Sequence, residues 1–173
     1  MKTCWHRQLL SIILLFSFSC ATLGVDGPTP AAVLHASGKV QVNGTGSSAV
    51  TTLFSGDLIQ TDADSVANIT AGGSSVLVMP NASVKFLGNM VELTQGGMAI
   101  ATSVGMSAMA DGLTITPVSK KLSKFEVAED QDSVVIAARQ GNVSVSDGQQ
   151  TSTVPEGQQT TKKKKGAAGL PHR

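Results

Sequence analysis

The chain is poor in aromatic residues. They make up 3% of its 173 positions, tyrosine is absent, and the single tryptophan, Trp5, falls in the first segment. Recognition of sugars or unpaired bases by stacking needs exposed rings, so the scarcity weighs against both modes. Cysteine is almost as rare, with Cys4 and Cys20 the only two. Both lie in or beside a segment expected to be removed. The remainder therefore has no disulfide and no thiolate metal site, and depends on its packed core for cohesion. Histidine supplies only His35 and His172 beyond that segment. His35 is the one candidate base for a hydroxyl nucleophile, and no orienting motif surrounds it. Amphipathic helical periodicity is also missing. What is abundant is 19 Ser, 16 Thr and 18 Gly beside 18 Val and 18 Ala, a composition that suits strands and turns better than helices.

The net charge of +1 hides a segregation. All 12 acidic residues lie between Thr22 and Thr161, where only Lys39, Lys85, Lys120, Lys121, Lys124 and Arg139 are basic. A body so acidic repels a phosphate backbone, which argues against nucleic-acid partners.

The N-terminal segment carries an address. Lys2, His6 and Arg7 precede an apolar run, Leu9 to Phe18, and small residues follow from Ser19 to Gly24. This is the layout of a secretory signal peptide, placed at residues 1–21, with an apolar run too short to span a bilayer comfortably. Cleavage just before Cys20 would allow a lipid on its thiol, the run Ser17-Phe18-Ser19-Cys20 being a loose version of a lipobox. The expectation is an exported protein of the periplasm or cell surface, with Cys20 a candidate lipidation site.

Residues 22–32 read as an extended leader, because VDGPTPAA breaks any periodicity. From residue 33 to 161, short alternating segments follow one another, separated by Gly, Asn and Asp. GKVQVNG places Val40 and Val42 on one face and ends in a hairpin-forming Asn43-Gly44. SVANIT alternates through Val66 and Asn68, and NVSVSDGQ through Val143 and Val145. The reading is one all-β domain of about a dozen short strands, a β-sandwich or β-roll, with an irregular β-solenoid as the alternative. Its core is expected to be a layer of Val, Leu, Ile, Ala and Met, in which Met79, Met90, Met98, Met106 and Met109 act as adaptable filler. Asp57, Asp62 and Asp64, and likewise Glu129, Asp130 and Asp132, read as turn residues. Residues 162–173 open with Lys162, Lys163, Lys164 and Lys165 and read as a disordered basic tail, a candidate electrostatic tether to an anionic membrane or wall polymer.

Four segments in order carry a family resemblance. SGDLIQTD (Ser55 to Asp62) resembles the GD-x-I-x-T element of FecR-like domains. GGSSVLVMPNASV (Gly72 to Val84) is similar to their GS-x-apolar-x-apolar-x-P-x-S element. VELTQGGMAIAT (Val91 to Thr102) resembles the next one, and Phe125 to Gln159 resembles the closing F-x-V … G-x-V-x-V stretch. Where members commonly carry R-G-T before F-x-V, this chain has SKKLSK, Ser119 to Lys124. The resemblance implies an extracytoplasmic all-β domain without catalysis or cofactor, a standalone exported form that senses or scaffolds through an envelope protein partner. Carbohydrate or wall-polymer binding, and a structural surface protein, are the alternatives.

Overall fold

The computed structural model describes residues 32–164. The segment expected to be a signal peptide, Cys20, nearly all of the expected leader, and Lys165 onward lie outside them. The described residues form a β-sandwich of 17 short strands in two sheets.

The first sheet has eight strands. In spatial order they are β4 (Val50–Leu53), β1 (Ala32–Ser37), β6 (Val66–Ala71), β7 (Ser74–Val78), β10 (Gly97–Thr102), β13 (Ser123–Glu129), β14 (Ser133–Gln140) and β17 (Gln159–Lys163). The second has nine: β3 (Thr45–Gly46), β2 (Val40–Val42), β5 (Leu58–Thr61), β8 (Ser83–Phe86), β9 (Met90–Gln95), β11 (Ser107–Ala110), β12 (Leu113–Pro117), β15 (Val143–Ser146) and β16 (Thr151–Val154). The chain adds strands to one sheet and then the other, so spatial order nearly follows sequence order. One step is solenoid-like. From β9 the chain crosses to β10 in the opposite sheet and returns as β11, parallel to β9, whereas every other pair is antiparallel.

Period-two alternation decides which residues face inward. Strand β10, GMAIAT, buries Met98, Ile100 and Thr102 and turns Gly97, Ala99 and Ala101 outward. The same rule along both sheets builds a single core from 30 buried apolar residues. Phe86 and Phe125 are fully enclosed in it, Phe54 is half-buried, and Val, Leu, Ile and Ala supply most of the rest. Burying each Val or Leu contributes about 1.5–3 kcal/mol. Met98 and Met106 belong to this core; Met79, Met90 and Met109 are half-buried.

The structure corrects several expectations. There are more strands than a dozen because short or polar segments without a clear alternating apolar pattern also pair: β3 (Thr45–Gly46), β11 (Ser107–Ala110) and β17 (Gln159–Lys163), while Asn43-Gly44, with φ of 53° and 77°, makes the turn read from sequence. In β6 the buried face is Ala67, Ile69 and Ala71, and Val66 and Asn68 face outward. The domain begins at Ala32 and continues past residue 161, because Lys162 and Lys163 extend β17 along β14, with Lys163 opposite Ser133. These lysines form an edge strand, where charge is tolerated and blunts further pairing.

Register fixes two ends of the sandwich. At the proximal end β1 begins at Ala32, and Ser74 on β7, Thr102 on β10 and Ser123 on β13 lie side by side. At the distal end Ser133 meets Lys163, where β17 finishes.

Candidate functional site

The serine and threonine side chains nearest to nucleophile candidates are already engaged. The buried polar residues are Thr61, Ser65, Ser74, Thr102 and Ser123, all at strand ends or in turns. Thr102 Oγ1 accepts from the N–H groups of Val104, Gly105 and Met106 at 3.2, 3.0 and 3.0 Å and shares a 2.8 Å bond with Ser74 Oγ. Thr61 donates to Met79 O at 2.6 Å and accepts from Ala82 N–H at 3.0 Å. Ser65 Oγ accepts from Lys39 N–H at 2.7 Å. These hydroxyls fasten loops. His35 is exposed on the outer face of β1, opposite Val50 on one side and Asn68 on the other.

The acidic residues separate by end. Asp57 is a turn fastener: its carboxylate accepts from Asn43 Nδ2 and from Phe54 N–H, both at 2.8 Å. Asp62, Asp64, Asp111, Glu129, Asp130, Asp132 and Asp147 all belong to the distal end, by strand direction and turn position. Among the described residues no group of three or more His, Cys, Asp or Glu is placed to hold a metal ion. The lysine run reaches the same acidic end. Lys164 Nζ pairs with Glu129 Oε2 at 3.1 Å, with side chains 23% and 8% exposed, and Lys164 N–H donates to Asp132 O at 2.9 Å. Lys162 is half-buried and shares a small cavity with Leu113 and Val145 of the opposite sheet, so its stem points between the sheets. Lys165 lies outside the described residues.

Two of the surface concavities among the described residues are notable for their lining. A groove of 630 Å³ at the distal end is lined by polar side chains, including Lys39, Gln41, Gln60, Asp62, Asp64 and Gln95. A trough of 370 Å³ crosses the outer face of the first sheet over Ala99 and Ala101, between Leu77 and Lys124. Arg139 bounds it, bonded to Glu126 at 2.6 Å. That hydrogen bond, and then the Glu126 charge, hold the Arg139 guanidinium above its ordinary value.

The four edge strands differ in what they offer a partner. β3 has two residues. β16 is followed by Pro155, and β17 carries Lys162 and Lys163. β4, VTTL, has no charge, no proline and no glycine. Ala36 N–H donates to Ala49 O at 2.9 Å, and the Val50 to Leu53 register with β1 continues that pair. Antiparallel alternation then turns the Thr51 and Leu53 backbone groups toward β1, and those of Val50 and Thr52 toward solvent. Val50 is 58% exposed, with exposed Val33 on the adjoining strand. Sequence reasoning missed this edge, because only pairing order reveals which strand is last in its sheet.

No family model matches the chain and no curated protein matches it. Among solved structures it is similar to one described as a "putative anti-sigma factor" from Parabacteroides distasonis. The TM-score is 0.49 and the identity 12%, over 62% of this chain and 59% of that one, so the likeness spans less than two thirds of that protein's length.

Proposed function

We propose that the chain is a non-catalytic, exported FecR-like module of the bacterial cell envelope that docks a protein partner by strand addition at β4. The observation that carries this reading is the contrast between edges. β17 is guarded by lysines, whereas β4 pairs among the described residues with β1 alone and turns the N–H and C=O groups of Val50 and Thr52 outward, beside exposed Val50 and Val33. Backbone bonds to an added strand give affinity without aromatic anchors, which suits a chain so short of rings.

The test is capture from a bacterial envelope extract on the immobilised full chain. Thr52→Pro removes one outward N–H and leaves the bonds to β1 in place. Val50→Lys puts a charge on the edge. Both should abolish capture of the bound protein, and Lys163→Gln should not. Undiminished capture by both β4 variants would refute strand addition there.

A second reading, binding of a neutral polyhydroxyl polymer such as a wall glycan, draws on the distal groove. Gln41, Gln60, Asn81 and Gln95 line it, and carboxamides both donate and accept hydrogen bonds. Calorimetric titration with soluble wall fragments separates the two readings, since glycan binding would be lost in Gln60→Ala and retained in Thr52→Pro.

A further inference from the structure

We propose that the proximal end of the sandwich seats on an anionic phospholipid surface, through two neighbouring loops that combine exposed aliphatic tips with lysines. The loops are residues 103–106, joining β10 to β11, and 118–122, joining β12 to β13. They are adjacent because β10 pairs with β13 and β11 with β12. Ser107 Oγ and Thr116 Oγ1 share a 3.2 Å bond at their base.

Of the large hydrophobic side chains left exposed, three stand on these two loops: Val104 at 58%, Val118 at 57% and Leu122 at 47%. Isolated exposed aliphatics need no explanation, but three at one end of the sandwich do: Val118 and Leu122 share one loop, and Val104 stands on the neighbouring loop beside Gly73. Lys120 and Lys121 sit between Val118 and Leu122, and Lys124 follows at the start of β13; all three are exposed. Alternating aliphatic and basic side chains at one tip match a phospholipid surface, where chains enter the acyl boundary and ammonium groups meet phosphate.

The distribution of charge over the molecule points the same way. The distal end holds seven acidic residues against Lys39, Lys162, Lys163 and Lys164, so it stays net acidic and an anionic surface favours the proximal end. Of the proximal carboxylates, Asp57 is engaged in its own turn and Glu156 lies beyond β15 and β14, in the β16–β17 turn. Lys162 to Lys164, the described part of the tether expected from sequence, lie at the opposite, acidic end. The inference does not rest on strand addition at β4: each can fail without the other.

The test uses the full chain with vesicles of mixed phosphatidylglycerol and phosphatidylcholine, read by hydrogen exchange with peptide resolution. Exchange should slow at 103–106 and 118–122, and not at 62–65 or 130–132. Pure phosphatidylcholine vesicles should produce no slowing at the two loops. Lys120→Gln with Lys121→Gln should weaken vesicle binding about 25-fold, roughly fivefold for each lysine, and raising salt to about 1 M should do likewise as the screening length shrinks to about 3 Å. Val118→Ser with Leu122→Ser should remove the slowing while leaving the circular dichroism of the sandwich unchanged. The proposal is overturned by unchanged exchange at these loops in vesicle-bound chain, by equal slowing on neutral vesicles, by failure to bind anionic vesicles, or by full binding in the lysine variant.

Discussion

Replacing Thr102 by valine keeps the shape of the side chain and removes one oxygen, and that oxygen organises the turn bearing Val104. Thr102 is 1% exposed. Its Oγ1 receives three backbone N–H groups and bonds Ser74 Oγ. In Thr102→Val the partly buried Val104 and Gly105 amides can turn to water, but the buried Met106 N–H and Ser74 hydroxyl are stranded. Each stranded buried group costs about 1–3 kcal/mol, so the variant should lose about 2–6 kcal/mol of stability. Thr102→Ser keeps the oxygen and gives up one buried methyl, a loss of about 1 kcal/mol. Urea unfolding of the three proteins measures both losses through the shift in midpoint at unchanged slope. Hydrogen exchange should show the valine variant opening first at 103–106. If valine proves no more costly than serine, the hydroxyl does not hold the turn and the reasoning fails.

Three other consequences can be checked. Gly96 makes the one-residue crossover from β9 to β10 at φ 80°, and a Cβ there would sit 2.8 Å from both Ala82 Cα and Asn81 O. Gly148, at φ 89°, faces open space. Gly148→Ala should therefore cost about 1–2 kcal/mol for conformation alone, and Gly96→Ala about 1–3 kcal/mol more for the clash, as read by thermal unfolding. Breaking the Lys164–Glu129 pair with Lys164→Gln should cost about 1–2 kcal/mol, above the range of exposed pairs because Glu129 is nearly enclosed; a loss near zero in urea unfolding would contradict that. In β4, Thr51→Pro deletes an inward ladder bond and should cost about 3 kcal/mol or more, whereas Thr52→Pro should cost less than about 1 kcal/mol; equal losses would show the hydrogen-bond phase to be misassigned.

Much of the fold was legible because strand patterning is local. The alternation in GMAIAT and VSVS names the buried residues, and Asn43-Gly44 forms the turn that its sequence demands. What was illegible depends on pairing between distant segments. SVANIT has small or apolar residues in both phases, and burial chose Ala67 and Ile69 over Val66 only through contact with the opposite sheet. Four lysines in a row read as a solvated tail, yet an edge strand accepts Lys162 and Lys163, and the acidic distal end provides Glu129 for Lys164. The apolar and basic loops at the proximal end lie in plain view in the sequence as SVGM and VSKKL. Their juxtaposition, and their separation from the acidic turns, exist only once strand direction is known. Cys20, the candidate lipidation site, lies outside the described residues.

The most direct test of strand addition follows individual backbone amides in the complex with the captured envelope protein. The N–H groups of Val50 and Thr52, which face solvent in the free sandwich, should exchange at least tenfold more slowly once the partner is bound, a change of about 1.4 kcal/mol in local protection. Amides that stay as fast as in the free protein, with slowing confined to the distal groove or the proximal loops, would contradict the account.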